Sequence, residues 1–187
     1  MGLEGSAAAA WYDHLKTHLP DTWNFTGRNR RPPRDPLNAL LSLSYTLVAN
    51  ELRRAVHAHG LDPALGFLHQ PYPGRESLVL DLLEPLRASA DAFALHCLQQ
   101  LTPEQFSYDP QQGCRLNQEG RAHYYGEWAS SRLHWPRHLV AFFVGDRFND
   151  PGSEAEEEEP GHSRLSGLCH RLVLDFIHLL QGSVQEA

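Results

Sequence analysis

One amphipathic segment, DPLNALLSLSYTLVANELRRAVHAHG, constrains the fold of this 187-residue chain more than any other stretch. Apolar and small side chains recur in it at steps of three and four residues, a spacing that places them on one face of an α-helix. They are Leu37, Leu40, Leu41, Ser44, Leu47, Val48 and Leu52. Asp35 and Pro36 are typical of a helix start, and Gly60 is typical of a helix end. At about 1.5 Å per residue the helix is about 36 Å long, which is enough to cross a domain.

Helical patterns also dominate the segments on either side. Ser6 is placed to cap a helix through AAAAWYDHLKTHL that ends before Pro20. Apolar residues at helical spacing continue from Ser77 to Leu101. Pro85 fits this helix only near its first turn or at a kink, because proline lacks the backbone N–H.

Two further helices and one pair of strands complete the predicted fold. Asn117 is placed to cap a helix that ends near Leu133, and LSGLCHRLVLDFIHLLQG predicts a last amphipathic helix. QFSYD and GCRLN, joined by a Pro-Gln-Gln-Gly turn, predict a small hairpin. The sequence therefore predicts a mainly α, compact helical domain with at most one small β-hairpin.

Charge is distributed unevenly along the chain, whose formal net charge is −7. Five glutamates lie in the stretch SEAEEEEP, and without them the net charge is −2. We predict an acidic flexible loop over residues 150–162, between a helical domain over residues 1–149 and a helix of the same domain over residues 163–187. An arginine cluster precedes the long helix and consists of Arg28, Arg30, Arg31 and Arg34. Such a patch can bind phosphate whatever the net charge, because salt confines its field to about 8–10 Å.

The sequence lacks the patterns of membrane and secreted proteins. No apolar run approaches the ~20 residues that span a bilayer, and the alanine run lacks the basic and longer apolar regions of a signal peptide. Cys97, Cys114 and Cys169 are far apart and form no CxxC pair. This pattern is typical of reduced thiols, so we expect a cytoplasmic protein without membrane contact.

Four residues in apolar or tightly turning contexts can carry metal chemistry. Asp81 and Glu84 are three residues apart in LVLDLLEPLR, so a helix places both carboxylates on one face, in surroundings where two like charges are costly unless a cation neutralises them. His69 ends the apolar segment GFLH, and Glu4 lies in GLEG. Each residue alone fits an ordinary structural role. Together, an imidazole and carboxylates form a ligand set for Mn²⁺ or Mg²⁺.

The other histidines form weaker candidates by their spacing. His57 and His59 are two residues apart and face different ways on a helix. His170 and His178 are expected at the edge of the last helix. The sequence also contains no Gly-x-Ser-x-Gly elbow and no Walker loop, so nothing in it indicates nucleophilic catalysis.

Three segments, in this order along the chain, resemble the helical C-terminal domain of a known family. GLEGSAAAAWY, NRRPPRDPLNALLSLSYTLVANEL and GLDPALGFLHQPYPGRESLVLDLLEPLR are similar to segments of the CRISPR-associated integrase-endonuclease, the Cas-one subunit of the spacer-acquisition machinery. The resemblance extends from Gly2 to Tyr125. It implies a metal-dependent DNA endonuclease/integrase of CRISPR adaptation, an antiviral defence, which cuts and joins phosphodiesters to insert spacers into a repeat array.

The resemblance also implies roles for individual residues. The family's metal ligands correspond to Glu4, His69 and Glu84, with Asp81 beside them as a ligand or as a neighbour of the ligands. The implied cofactor is Mn²⁺ or Mg²⁺. The implied partners are double-stranded DNA, both protospacer and repeat, and a small Cas-two protein, and family members act as homodimers.

Six arginines are candidate DNA-binding residues on this interpretation. The arginine cluster forms either a sequence-independent phosphate clamp or a solvated loop. Arg75 and Arg87 flank the candidate site and can steady phosphates. Arg87 can equally form an ion pair with Glu84, three residues before it on the same helix.

The chain departs from the family before its first metal-ligating glutamate. Family members carry a β-rich N-terminal domain there, whereas Glu4 is the fourth residue of this sequence. The alternative prediction is therefore a truncated, non-catalytic remnant, or a structural half that needs a missing N-terminal domain.

Overall fold

The computed structural model describes residues 3–136 and 162–185, with side chains described for residues 5–136 and 164–181. Within these ranges the chain forms six α-helices joined by 3₁₀ turns and loops. They are α1 (Leu3–His18), α2 (Pro36–Ala58), α3 (Ser77–Leu83), α4 (Arg87–Gln100), α5 (Gln118–Ser131) and α6 (Leu165–Gln185). The prediction of a mainly α fold is confirmed.

Two short antiparallel pairings make up the β-structure of the described ranges. β1 (Phe106–Asp109) and β2 (Gly113–Leu116) form the predicted hairpin. β3 (Trp135–Pro136) pairs with β4 (His162–Ser163), which the sequence did not predict. Strands of two residues are too short to produce a recognisable alternation of apolar and polar side chains.

The hairpin is fastened to the segment that carries the arginine cluster. Gly113 has a φ of 77°, and a Cβ at this position would lie 2.2 Å from the carbonyl oxygen of Pro33. The Cys114 N–H donates a hydrogen bond to the same oxygen over 2.7 Å. Because only glycine combines this conformation with so close an approach, Gly113 fixes how the two segments meet.

The long helix α2 forms as predicted. Asp35 Oδ1 accepts a hydrogen bond from the Asn38 N–H at 2.8 Å, which caps the first turn. Gly60 has a φ of 71° and donates its N–H to the His57 carbonyl at 3.0 Å, which ends the helix. Most of the predicted apolar face is at most 1% exposed, namely Leu37, Leu40, Leu41, Ser44, Val48 and Leu52.

The first helix begins earlier than predicted. α1 starts at Leu3, so Ser6 lies within it, and the prediction that Ser6 is its cap is wrong. Alanine has the highest helix propensity, and the run over residues 7–10 allows the helix to extend over the residues before it. Glu4 therefore belongs to the first turn of α1.

The apolar series that begins at Ser77 forms two helices. α3 ends at Leu83, a 3₁₀ turn covers Glu84–Leu86, and α4 follows. Pro85 causes the break, because it has no N–H to donate and its ring clashes with the carbonyl four residues before it. The backbone N–H of Glu84 donates to the Asp81 carbonyl at this point. The kink that the sequence allowed at Pro85 is therefore a change of helix type.

The chain divides into two compact units, the first comprising residues 1–44 and 93–127 and the second residues 45–92 and 128–187. In the first unit, Tyr124 is fully buried and its hydroxyl lies 2.8 Å from Ser44 Oγ. In the second unit, the Trp135 indole N–H donates to Ser89 Oγ over 2.9 Å. Residues 150–161 of the predicted acidic loop lie outside the described ranges.

Two further observations concern the cysteines and the composition of the helices. Cys97, Cys114 and Cys169 are all free and buried. Within the described ranges, no helix combines the length and the apolar composition needed to cross a bilayer.

Candidate active site

Asp81 holds the loop that carries His69. Its side chain is 0% exposed, and each carboxylate oxygen accepts two hydrogen bonds. Oδ2 accepts the N–H groups of Phe67 (2.6 Å) and Leu68 (2.9 Å). Oδ1 accepts the His69 N–H (3.0 Å) and lies 2.5 Å from His69 Nδ1. Three consecutive backbone groups and one imidazole therefore converge on a single buried carboxylate.

Gly66 allows the loop to approach Asp81 so closely. A Cβ at this position would lie 2.6 Å from Ser77 Cβ and 2.7 Å from Asp81 Oδ2. Real Cβ atoms do not approach heavy atoms at such distances, so a side chain here would push the loop away from α3. The glycine of the GFLH segment is thus required by packing against α3.

The charge on Asp81 determines the tautomer of His69. Burial raises the pKa of Asp81, but the hydrogen bonds from Leu68, from the His69 ring and from the other loop N–H groups outweigh it, so the pKa lies below the usual aspartate value. An ionised carboxylate only accepts hydrogen bonds, so His69 Nδ1 carries the hydrogen. In the neutral ring, Nε2 then keeps a free lone pair. The His69 side chain is 35% exposed, so a ligand can reach it.

Glu84 is paired with Arg87. Arg87 Nε donates to Glu84 Oε2 at 2.6 Å, and Nη2 donates to Oε1 at 2.8 Å. The Arg87 guanidinium also lies 5.0 Å from the centre of the Tyr45 ring, and the Tyr45 hydroxyl donates to Asp91. Burial lowers the pKa of Arg87, but the contact with Glu84 raises it above the usual value. The ion pair that the spacing of Arg87 and Glu84 suggested is present.

The structure brings together only part of the predicted site. His69 and Asp81 are in direct contact, whereas the side chain of Glu4 lies outside the described residues. Within the described side chains, no three histidine, cysteine, aspartate or glutamate residues form a group that could hold a metal ion. The proposed ligand set therefore depends on Glu4, whose assignment rests on the sequence resemblance.

The four members of the arginine cluster have different environments. Arg28 is half-buried and donates to Asn38 Oδ1 at 2.8 Å and to Ser42 Oγ at 3.3 Å. Arg30, Arg31 and Arg34 are exposed, and none of them forms an ion pair within the described part of the chain. Arg28 thus stabilises the loop, while the other three are available to solvent.

The segment around His69 also contains features that the sequence analysis did not identify. Leu65, Phe67, Leu68 and Tyr72 are each more than half exposed, although they are large and apolar. The Phe67 ring stacks on Phe176 of α6 with centroids 5.0 Å apart. Arg75 lies over the Tyr72 ring at 5.3 Å. The segment that carries His69 therefore exposes several apolar and aromatic side chains.

A second missed contact fixes the start of α3. Arg53 of α2 donates through Nε to Glu76 Oε1 at 2.6 Å and through Nη2 to Glu76 Oε2. Arg53 and Glu76 are 23 residues apart, so no local spacing rule could have paired them. This ion pair connects α2 to the residue that precedes the helix carrying Asp81.

Comparison with known proteins identifies the family. The model for the family described as CRISPR associated protein Cas1 matches residues 1–130. A protein of Methanospirillum hungatei named CRISPR-associated endonuclease Cas1 4 is 42% identical over 128 residues, which cover 67% of this chain and 36% of that protein. The chain thus spans little more than a third of the length of this relative.

Two solved structures have a similar fold. A chain in a partial Cas6-RT-Cas1–Cas2 complex is 30% identical with a TM-score of 0.63, and the match covers 70% of this chain and 42% of that one. A casposase bound to integration product has a TM-score of 0.73 over 96% of this chain and 46% of its own, at 21% identity, so it supports the fold alone. Because the family model matches more than half of the sequence, this chain belongs to the Cas1 family of CRISPR-associated proteins.

Proposed function

We propose that this chain carries the metal-dependent catalytic centre of a DNA endonuclease/integrase of CRISPR adaptation. On this proposal Glu4, His69 and Glu84 bind Mn²⁺ or Mg²⁺, and Asp81 positions His69. The contact between Asp81 and His69 carries the proposal, because metal-binding histidines typically donate their second ring N–H to a carboxylate. Membership of a family whose relatives include named endonucleases supports it.

His69 and Glu84 fit such a ligand set in their chemistry. The His69 ring has Nδ1 held by Asp81 and Nε2 free to bind an ion. The Glu84 carboxylate has about four lone-pair sites, of which Arg87 uses one on each oxygen. Arg87 therefore orients Glu84 and leaves it able to accept a further ligand. An imidazole with carboxylates suits Mn²⁺, and Mg²⁺ tolerates it less well.

The reaction requires a nucleophile and a scissile phosphodiester held at this centre. Mn²⁺ or Mg²⁺, when bound, supplies Lewis-acid stabilisation of charge on the phosphate and activates the attacking oxygen. The chain's own residues fix the geometry, since Asp81 determines the ring orientation of His69 and Arg87 determines that of Glu84. In spacer integration the attacking oxygen is the 3′-hydroxyl of the captured DNA.

We infer that double-stranded DNA, both protospacer and repeat, is the substrate, and that a small Cas2 protein and a second copy of this chain are partners. The exposed Arg30, Arg31 and Arg34 offer sequence-independent contacts to phosphate. The partial Cas6-RT-Cas1–Cas2 complex, which contains a chain 30% identical to this one, supports the Cas2 partner.

A nicking and disintegration assay on branched DNA tests the catalytic proposal. The 187-residue chain is incubated with Mn²⁺, with Mg²⁺ or with EDTA. We expect cleavage only with a divalent metal, and we expect Glu4→Ala and His69→Ala to reduce it to background because each removes a proposed ligand. His134→Ala, which removes an exposed imidazole outside the site, is the matched control and should keep wild-type activity.

Two results would contradict the proposal. Activity that survives both Glu4→Ala and His69→Ala would exclude the proposed ligands. A folded wild-type chain that leaves every substrate intact with Mn²⁺ would instead support the non-catalytic remnant, or the structural half that requires a further domain.

A further inference from the structure

Two histidines on the surface of the second unit lie in contact outside the candidate active site. His59 follows the last residue of α2, and His170 lies in α6. His59 Nε2 and His170 Nδ1 are 3.1 Å apart, and the rings meet edge to face with centroids 5.2 Å apart. The proposed function uses neither residue, so their contact needs a separate explanation.

We propose that His59 and His170 form a bidentate binding site for a transition-metal ion such as Zn²⁺, Ni²⁺ or Cu²⁺. Imidazole nitrogens bind Zn²⁺ at about 2.0–2.1 Å, so two of them on one ion are about 2.9 Å apart at a right angle and about 3.3 Å apart at the tetrahedral angle. The observed 3.1 Å lies between these values. The separation of the two nitrogens therefore already suits one ion, and the two rings must rotate so that both lone pairs point at it.

The two rings can bind an ion without a net loss of protons. A neutral imidazole carries one N–H, and the N–H···N contact places one such hydrogen between the rings. Exchange of this hydrogen to the outer nitrogen of the same ring leaves both inner nitrogens with free lone pairs. Neutral imidazole is the form in which histidine binds metals, so this exchange prepares the pair for an ion.

Buried neighbours hold the pair in position. Ala55 and Val56 in the last turn of α2 are 0% exposed, and so are Leu168 and Cys169 of α6. His170 itself is exposed and His59 is half-buried, so an ion can reach both rings from solvent. Ligands on well-packed elements lose little freedom when they bind, which favours binding.

The donor atoms distinguish this site from the candidate active site. Imidazole nitrogen suits Zn²⁺, Ni²⁺ and Cu²⁺, whereas Mg²⁺ and Mn²⁺ are bound mainly through oxygen. Among the side chains that the structure describes, no third histidine, cysteine, aspartate or glutamate completes a metal-binding group with this pair. Water or another molecule would fill the remaining positions. A bound ion would link the end of α2 to α6.

Titration of the metal-stripped, full 187-residue chain with Zn²⁺ by isothermal calorimetry tests the proposal. The titration is performed in a His69→Ala background, so that the candidate active site does not contribute. His14→Ala is added to this background, because the rings of His14 and His18 also stack, with centroids 3.9 Å apart. We then expect one Zn²⁺ per chain. His59→Ala and His170→Ala should each weaken binding by at least roughly tenfold, because one ring alone loses the chelate advantage. His57→Ala, two residues away in sequence, is the matched control and should bind as the parent does.

A spectroscopic measurement tests the same site without removing either ligand. The electron paramagnetic resonance spectrum of one equivalent of Cu²⁺ on the His14→Ala, His69→Ala chain, which keeps both His59 and His170, should show two imidazole nitrogens. Zn²⁺ binding unchanged by His59→Ala and His170→Ala would overturn the proposal. If either variant fails to fold, as judged by circular dichroism, a Cu²⁺ spectrum without two imidazole nitrogens would overturn it equally.

Discussion

Both carboxylate oxygens of Asp81 accept hydrogen bonds from the short loop that contains His69. In the sequence, the pair of Asp81 and Glu84 beside an apolar run indicated that two like charges are costly there unless a cation neutralises them. The structure shows that backbone N–H groups and one imidazole stabilise this charge, while Arg87 does so for Glu84. The resemblance left two roles open for Asp81, that of a metal ligand and that of a neighbour of the ligands. These contacts favour the second role, in which Asp81 orients His69.

Asp81→Asn tests this orienting role. The amide keeps the shape but offers one acceptor in place of two, and its NH₂ group faces N–H donors of the loop. We expect a loss of about 1–3 kcal/mol in the free energy of unfolding, measured by urea denaturation. Metal-dependent cleavage should fall by about 10–100-fold, because the ring of His69 is no longer fixed.

Asp62→Asn is the matched control for this substitution, because Asp62 is an exposed loop aspartate that caps a nearby N–H. It should change neither cleavage nor, beyond about 0.5 kcal/mol, stability. Equal effects of the two substitutions would show that Asp81 has no special role in the loop.

Individual residues also show the limit of sequence reasoning. Spacing rules identify which neighbours share a helix face, and they suggested the pairing of Arg87 with Glu84. They cannot identify distant residues that meet, such as His59 and His170, which are 111 residues apart. Sequence context made His69, Asp81 and Glu84 candidates, and the resemblance to a family implied their roles. The hydrogen bonds that organise them were not predictable from spacing.

At the scale of elements, the start of α3 depends on its ion pair with α2. The Arg53 side chain holds the pKa of Glu76 below the usual glutamate value. Both side chains are a little more than a third exposed, so solvent screening limits the contribution of the pair to about 1 kcal/mol at most.

The substitution Glu76→Gln should lower the free energy of unfolding by an amount that depends on pH. The pKa of Glu76 is lowered in the folded state, so its stabilisation is present above the unfolded value of about 4.3 and is lost as the pH falls through the folded value. We expect the variant to be less stable than the wild type at pH 7, and the difference to shrink as the pH falls below about 4.3 and through the lowered pKa of the folded state. Chemical denaturation at a series of pH values measures it. In an Arg53→Gln background the substitution should have no such pH dependence, and a persistent one would refute the pairing.

Some helices and strands could be predicted from the sequence, and others could not. α2 and the hairpin were predictable because their apolar spacing, cap and turn residues agree with one another. The break at Pro85 followed from the chemistry of one residue. The start of α1 was not predictable from the cap rule, because helix propensity extended the helix past Ser6. The pairing of β3 with β4 joins distant two-residue segments, which leave no local pattern.

At the scale of the whole molecule, the net charge of −7 opposes binding to DNA, and the exposed members of the arginine cluster favour it. Phosphate binding depends on the charge close to the phosphate, because salt confines the field of a charge to about a Debye length. Arg28 differs from the other three, since its guanidinium is occupied by Asn38 and Ser42.

Substitution of single arginines should therefore separate DNA binding from stability. Arg30→Ala, Arg31→Ala and Arg34→Ala should weaken binding to double-stranded DNA, and each lost phosphate contact should reduce the slope of log K against log salt by about 0.9. Arg28→Ala should mainly lower the unfolding midpoint. Fluorescence anisotropy at several salt concentrations measures the first effect and thermal unfolding the second.

Arg121→Ala, an exposed arginine of α5, is the control for charge alone. If the three cluster variants keep the slope and affinity of the wild type, or if Arg121→Ala matches them, the phosphate clamp is refuted.

The contact of Gly113 and Cys114 with Pro33 has a consequence for the evolution of the chain. Because of this contact, the position of the arginine cluster depends on the hairpin, although the two segments are far apart in the sequence. We expect an insertion at the hairpin tip, residues 110–112, to leave the contact with Pro33 in place, since Gly113 and Cys114 make it. A change at Gly113, in contrast, would require a compensating change near Pro33. Recombination that exchanges one segment without the other should therefore yield chains with a displaced arginine cluster.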